Sequence, residues 1–294
     1  MKFAKAMRKK AKLRLALTGP SGSGKTYGAL EIAKGLGGET ALIDTEKGSA
    51  SLYSDRFNFD VLELDPPFTP ERFIEAIGVA QEAGYDNLII DSITHEWSGT
   101  GGCLELLDVL AKAKYRGNTW SAWSEITPRH NAFLDAILRS DLHIIATMRS
   151  KTETAQVDKG NGKKGVDKLG MKSEQRDGVE YEFTTVLDLN HETHTAMASK
   201  DRTGLFSNSE VTQLNELTGK RLMDWLNDGR TKAEIDLAHF TNIATEAQNM
   251  DELKIAFSEA YKALRDTPEQ AEAQKVYERR KKELTNQEEA GANG

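Results

Sequence analysis

The chain has 294 residues, 38% of them hydrophobic and 29% charged, which suits one large α/β core of about 230 residues plus an appendage. A mean hydropathy of −0.56, with no run near the roughly 20 apolar residues of a membrane span, excludes a helical membrane protein. The lone Cys103 excludes a disulfide framework and multi-cysteine metal sites, and the net charge of −7 excludes a uniformly basic nucleic-acid coat; a cytoplasmic protein is expected.

In chain order, the first feature is a basic arm, residues 1–12. Lys2, Lys5, Arg8, Lys9, Lys10, Lys12 and Arg14 all precede the first acidic residue, Glu31, so this patch can meet phosphate or an acidic neighbour. The apolar stretch after it is short and interrupted by Arg14, so no secretion leader is expected. Leu13 to Thr18 reads as a strand running into glycines, and Tyr27 to Leu36 as a helix closed by Gly37 and Gly38. Further strands are predicted at Thr40 to Asp44, Phe59 to Leu64, Asn87 to Asp91 and Leu142 to Met148, with an antiparallel pair at Phe183 to Leu189 and Thr195 to Lys200. Thr69-Pro70 and Thr127-Pro128 read as capped helix starts, the first leading to Phe73, Ile77 and Ala80, the second to Phe133, Ile137 and Leu138. Strands alternating with helices predict a mostly parallel sheet with helices on both faces over residues 13–228. Arg149 to Glu182, rich in Gly, Lys and Asp, reads as a long functional or disordered loop. Residues 229–294 turn to Ala, Glu, Lys and Gln and read as a helical appendage: a hairpin, Asp251 to Arg265 and Pro268 to Leu284, with a disordered end.

The chemistry concentrates in Gly19-Pro20-Ser21-Gly22-Ser23-Gly24-Lys25-Thr26, a full G-x-x-x-x-G-K-[ST] match lying between a predicted strand and a predicted helix. Glycines let successive N–H groups converge on phosphates at the positive end of the helix, Lys25 reaches the β and γ phosphates, and Thr26 offers a hydroxyl to Mg²⁺. Tyr27 follows as a further nucleotide contact. Such a loop needs a carboxylate at the end of a buried strand, and Asp91 supplies it. Hydrolysis needs a second carboxylate to polarise water; Glu46 and Asp44, at the end of Ala41 to Glu46, both qualify. Lys200 and Arg202, two apart on a strand, point to one side, which is costly unless they face an anion. His191 and His194 lack a nearby cysteine and are not read as metal ligands.

The order of these pieces resembles the RecA family of ATPases, in particular the trimmed RecA-like single-strand annealing recombinases and nucleotide-binding proteins of bacteriophages. Thr40 to Glu46 followed by Lys47 is similar to the RecA strand whose terminal glutamate activates water, which favours Glu46 over Asp44. Lys200-Asp201-Arg202-Thr203-Gly204 resembles the basic pair that such subunits insert into a neighbour's ATP site. Thr147 stands where the family places a γ-phosphate sensor, although RecA has a glutamine in this region. The short Phe3-Ala4-Lys5-Ala6 resembles a tether that docks into an adjoining subunit. The resemblance implies a Mg²⁺-requiring, DNA-dependent ATPase that self-assembles as a filament or ring in a bacterial host's cytoplasm, with single-stranded DNA and a single-strand-binding protein as partners. A helicase-type motor or loader, and an ATP-switched DNA-binding scaffold, fit the same pieces. Two stretches match the family's DNA loops. One interleaves Lys112, Lys114, Tyr115, Arg116, Asn118, Trp120 and Trp123; the other carries Lys159, Lys163, Lys164, Lys168, Lys172 and Arg176.

Overall fold

The computed structural model describes residues 10–158, 164–206 and 212–292, with side chains outside 152–170, 212 and 287–292. The Phe3 to Ala6 segment, the arm through Lys9, and Lys159 and Lys163 lie outside the described residues, as do the side chains of Lys164 and Lys168. The elements run β1 (Arg14–Gly19), α1 (Lys25–Leu36), β2 (Thr40–Asp44), β3 (Asp60–Glu63), α2 (Pro70–Glu82), β4 (Asn87–Asp91), α3 (Thr94–Ser98), α4 (Cys103–Lys114) and α5 (Thr119–Arg139). They continue with β5 (His143–Asp158), β6 (Lys164–Ser173), β7 (Thr185–Leu189), β8 (Thr195–Asp201), β9 (Thr212–Gln213), α6 (Glu216–Asn227), α7 (Lys232–Glu246), α8 (Met250–Ala263) and α9 (Glu269–Ala292).

The sheet has the order β3-β2-β4-β5-β1-β7-β8-β9, with β6 paired to β5 outside that path. From β3 to β7 every neighbouring pair is parallel; β7 to β8 and β8 to β9 are antiparallel. Leu88, Ile90, Ile144 and Ala146 pack with Phe73 and Ile77 of α2 and Phe133 and Ile137 of α5 in one core. The alternate residues Leu15, Leu17, Ile89 and Ile145 are equally buried, so both faces are covered, as a parallel sheet requires. Register sets the function-bearing edge: Gly19 pairs with Arg149 and Asp44 with Asp91, so the loops leaving these strands open on one cleft at their carboxyl ends. α6 approaches α1 backbone to backbone because both contact residues are glycines. A Cβ on Gly219 would stand 2.1 Å from the Ile32 carbonyl oxygen, and one on Gly35 2.0 Å from that of Glu216.

Several expectations change. The helix expected from Thr127-Pro128 instead begins at Asn118, whose side chain accepts from the Ser121 N–H at 3.2 Å, and Pro128 lies inside α5. Proline withholds the N–H that the Ser124 carbonyl would have received, but burial of Ala122, Ile126, Phe133 and Ile137 carries the helix through. Thr69 and Pro70 do start α2, although the threonine hydroxyl makes no capping bond. Arg149 to Glu182 is no long loop: β5 and β6 form an antiparallel hairpin from Ser150–Ser173 outward. Ladder hydrogen bonds hold it, and a strand polar on both faces has no apolar period to betray it. Lys112, Lys114 and Trp120 belong to the end of α4 and the start of α5 rather than to a long loop. Arg14 is no part of the arm. It is buried in β1, and its guanidinium donates to the carbonyls of Leu13, Leu142, Leu138 and Ser140, closing the α5–β5 connection.

Among the described residues, contacts divide the chain into Lys12–Trp225 and a second unit comprising Lys10 and Ala11 with the residues from Leu226 onward. In the second unit α8 and α9 form the expected hairpin, and α7, absent from the sequence reading, completes it. A core of Phe240, Ala244, Leu253, Ala260, Leu264 and Leu284 joins all three helices. Among the described residues no helix is long and apolar enough to cross a membrane.

Candidate functional site

The loop between β1 and α1 curls through positive φ at Gly22 (78°) and Gly24 (91°), a conformation that a side chain disfavours. Lys25 folds back over it, its Nζ donating to the carbonyls of Gly19 at 3.0 Å and Pro20 at 2.9 Å. Burial lowers the Lys25 ammonium, while Asp91 and Glu46 act in the opposite direction. Ser23 Oγ is buried without a hydrogen-bond partner. A loop curled so, with Lys25 and Thr26 on the wall of a 550 Å³ cavity, fits a polyphosphate chain. Ser21, Gly22, Gly24, Lys25 and Thr26 line that cavity, with Tyr27, Leu52, Tyr53 and Leu214 as its apolar walls. Tyr27 meets Tyr53 edge-on at 5.9 Å and Phe57 at 5.4 Å.

Asp91, at the end of β4, is buried, and that burial pushes its carboxyl up against the lowering effect of two hydroxyl donors, Thr147 and Thr26. Thr26 Oγ1 donates to Asp91 Oδ2 at 2.5 Å, so the loop hydroxyl and the strand carboxylate already stand together. Their oxygens are hard donors of the kind Mg²⁺ takes, and a cation would relieve the buried charge. Thr147 is wholly buried with its hydroxyl given to Asp91 Oδ1, which places it behind the carboxylate rather than on the cavity wall.

The two carboxylates at the end of β2 part company. Asp44 accepts from the backbone N–H groups of Glu46 at 2.6 Å and Ala50 at 3.0 Å, so it shapes the turn. Glu46 lines the cavity and is held by Arg149, whose Nη2 and Nε donate to the same carboxylate oxygen at 2.8 and 3.0 Å. Sequence reasoning missed Arg149. Its only signal was a cation at the end of a buried strand; its approach to Glu46 depends on strand order. Lys200 and Arg202 do share a side: both donate to the Tyr181 carbonyl, Lys200 also to that of Glu180 at 3.0 Å. They are not among the residues lining the Lys25 cavity.

A second cluster lies on α3 and α5. Trp120 is 86% exposed, while Trp123 is half-buried and stacks on Trp97, with ring centroids 5.7 Å apart at 19°. The Arg176 guanidinium sits 5.8 Å from the Trp123 centroid, within cation–π range. Trp97 was not singled out by the sequence reading, because only tertiary structure brings α3 beside α5. Beneath it are three wholly buried groups. Cys103 Sγ donates to Glu96 at 3.0 Å and His130 Nδ1 lies 3.1 Å from the same carboxylate. Burial and Glu96 push the Cys103 thiol up, in keeping with its hydrogen bond to that carboxylate. Gln175 Nε2 ties this cluster to the segment after Asp91 by donating to the Ile93 carbonyl at 3.0 Å.

Comparison with protein families matches residues 11–222, well over half of the chain, to the model described as AAA domain. No curated protein matches the chain.

Proposed function

Because the chain belongs to the AAA-domain family of P-loop nucleotide-binding proteins, we propose that it binds and hydrolyses ATP in the β1–α1 cleft and couples turnover to single-stranded DNA, in recombination or strand annealing. One observation carries the coupling. The segment leaving Asp91 runs directly into α3, which carries Trp97, and Gln175 pins that segment while its neighbour Arg176 covers Trp123. Cleft and aromatic face therefore share one short, tied piece of chain. Exposed and half-exposed indoles flanked by a guanidinium suit the faces of unpaired bases, which any sequence presents.

In the cleft, Gly19 to Thr26 would hold the phosphates, Lys25 adding charge at the β and γ positions. Thr26 and Asp91 would hold Mg²⁺, which neutralises phosphate charge when bound. Glu46 orients water and accepts its proton, and Arg149 positions Glu46. Lys200 and Arg202, outside their own chain's cavity, suit an anion on a neighbouring copy, in keeping with assembly on DNA. Turnover measured with and without single-stranded DNA tests this reading. Wild-type protein should hydrolyse ATP faster with DNA, and Lys25→Ala should lose ATP binding. ATP binding without turnover under either condition would instead favour an ATP-switched scaffold.

A further inference from the structure

The turn joining β7 to β8 stands beside the phosphate loop. Asn190 shapes it: Oδ1 accepts from the N–H groups of Glu192 at 2.8 Å and Thr193 at 3.1 Å, its carbonyl accepts from His194 N–H at 3.1 Å, and its own N–H donates to Thr195. His194 is thereby held at φ 52°, a left-handed conformation uncommon for a residue with a side chain. Two imidazoles consequently face the loop glycines. A Cβ on Gly22 would lie 3.0 Å from His191 Cε1 and 3.4 Å from Nδ1, and one on Gly24 would lie 3.7 Å from His194 Nδ1. His194 lines the cavity that Lys25 and Thr26 line. Both side chains are exposed; His191 is not among the residues lining that cavity but stands against Gly22 of the loop.

We propose that this turn is a second wall of the nucleotide site, with His191 and His194 donating hydrogen bonds to the polyphosphate of a nucleoside di- or triphosphate. The proposal rests on the nucleotide-binding reading above. The loop supplies N–H donors and Lys25 from one side only, and a polyphosphate has more acceptor oxygens than those can satisfy. Imidazole N–H groups are donors of the right reach, and opposite a phosphate they form charge-assisted bonds. A turn that holds its second histidine in a disfavoured conformation aims that ring.

The test uses the full chain with ATP and with inorganic triphosphate, which has no base or sugar. His194→Asn is the main variant, since asparagine tolerates the left-handed backbone; His191→Ala and the double variant accompany it, each checked for an unchanged unfolding temperature. The expected result is a loss of roughly tenfold to a hundredfold in affinity for both ligands, larger in the double variant. Unchanged affinity for both ligands would overturn the proposal. Weaker ATP binding with unaltered inorganic triphosphate binding would also overturn it, placing the rings on the nucleoside instead. Wild-type protein that binds neither ligand would mean that the nucleotide reading itself had failed.

Discussion

In the cleft, the charged groups are already matched within the chain, whereas the aromatic face leaves its largest group unmatched. Lys25 is given to loop carbonyls, Asp91 to two threonine hydroxyls and Glu46 to Arg149. Trp120, by contrast, is 86% exposed, and Arg176 meets Trp123 only through its ring face. The difference teaches where each region's specificity resides. A ligand in the cleft must exchange internal hydrogen bonds for its own, which rewards only a group of matching charge and shape. A ligand stacking on Trp120 would displace only water, so that contact would discriminate weakly between flat apolar partners.

The sharpest way to break this comparison is Glu46→Gln. Amide for carboxylate keeps the shape of the cleft but removes the proton acceptor and the ion pair with Arg149, so turnover should fall by about 10² to 10⁴ while ATP affinity persists. Single-turnover assays beside equilibrium binding check it, and equal loss of both would return Glu46 to a structural role.

A middle-sized effect acts on both regions through the sheet they share. His143, at the amino end of β5, accepts from the Leu13 N–H at 3.1 Å and is held neutral by burial, its pKa lowered to about 4. In the unfolded chain its pKa is about 6.5, so between those values the unfolded state binds more protons. Stability is therefore fully present above pH 6.5 and is lost as pH falls toward 4, by up to ~3 kcal/mol. Urea midpoints across that window should fall in wild type and stay flatter in His143→Gln. A flat wild-type profile would contradict the buried, neutral imidazole.

The smallest effect belongs to the aromatic face. Trp120→Ala should weaken single-strand binding by about 1 to 3 kcal/mol, with affinity falling further as salt rises. Titration of labelled oligonucleotides measures it; unchanged affinity would leave Trp120 as an exposed indole with no part in DNA binding.

How much of this was legible beforehand follows from the range of each constraint. The phosphate loop could be read because its chemistry depends on eight consecutive residues and the two elements flanking them. The buried strands could be read because covering both faces demands apolar runs, as in Asn87 to Asp91. The β5–β6 hairpin could not, since its polar residues carry no such period and its stability comes from pairing between segments. Pro128 misled for a related reason: local preference suggested a helix start, and burial along α5 overrode it.

By itself, then, the sequence determined the phosphate-binding loop, the parallel α/β class and the strands that end in Asp91 and Asp44, since local geometry and burial patterns are written in short stretches of chain. Only tertiary structure decided that Asp44 shapes a turn while Glu46 meets Arg149, that Trp97 joins Trp123, and that His191 and His194 face the loop glycines. Those pairings join residues from separate elements, and the sheet order and helix packing that bring them together are properties of the whole core.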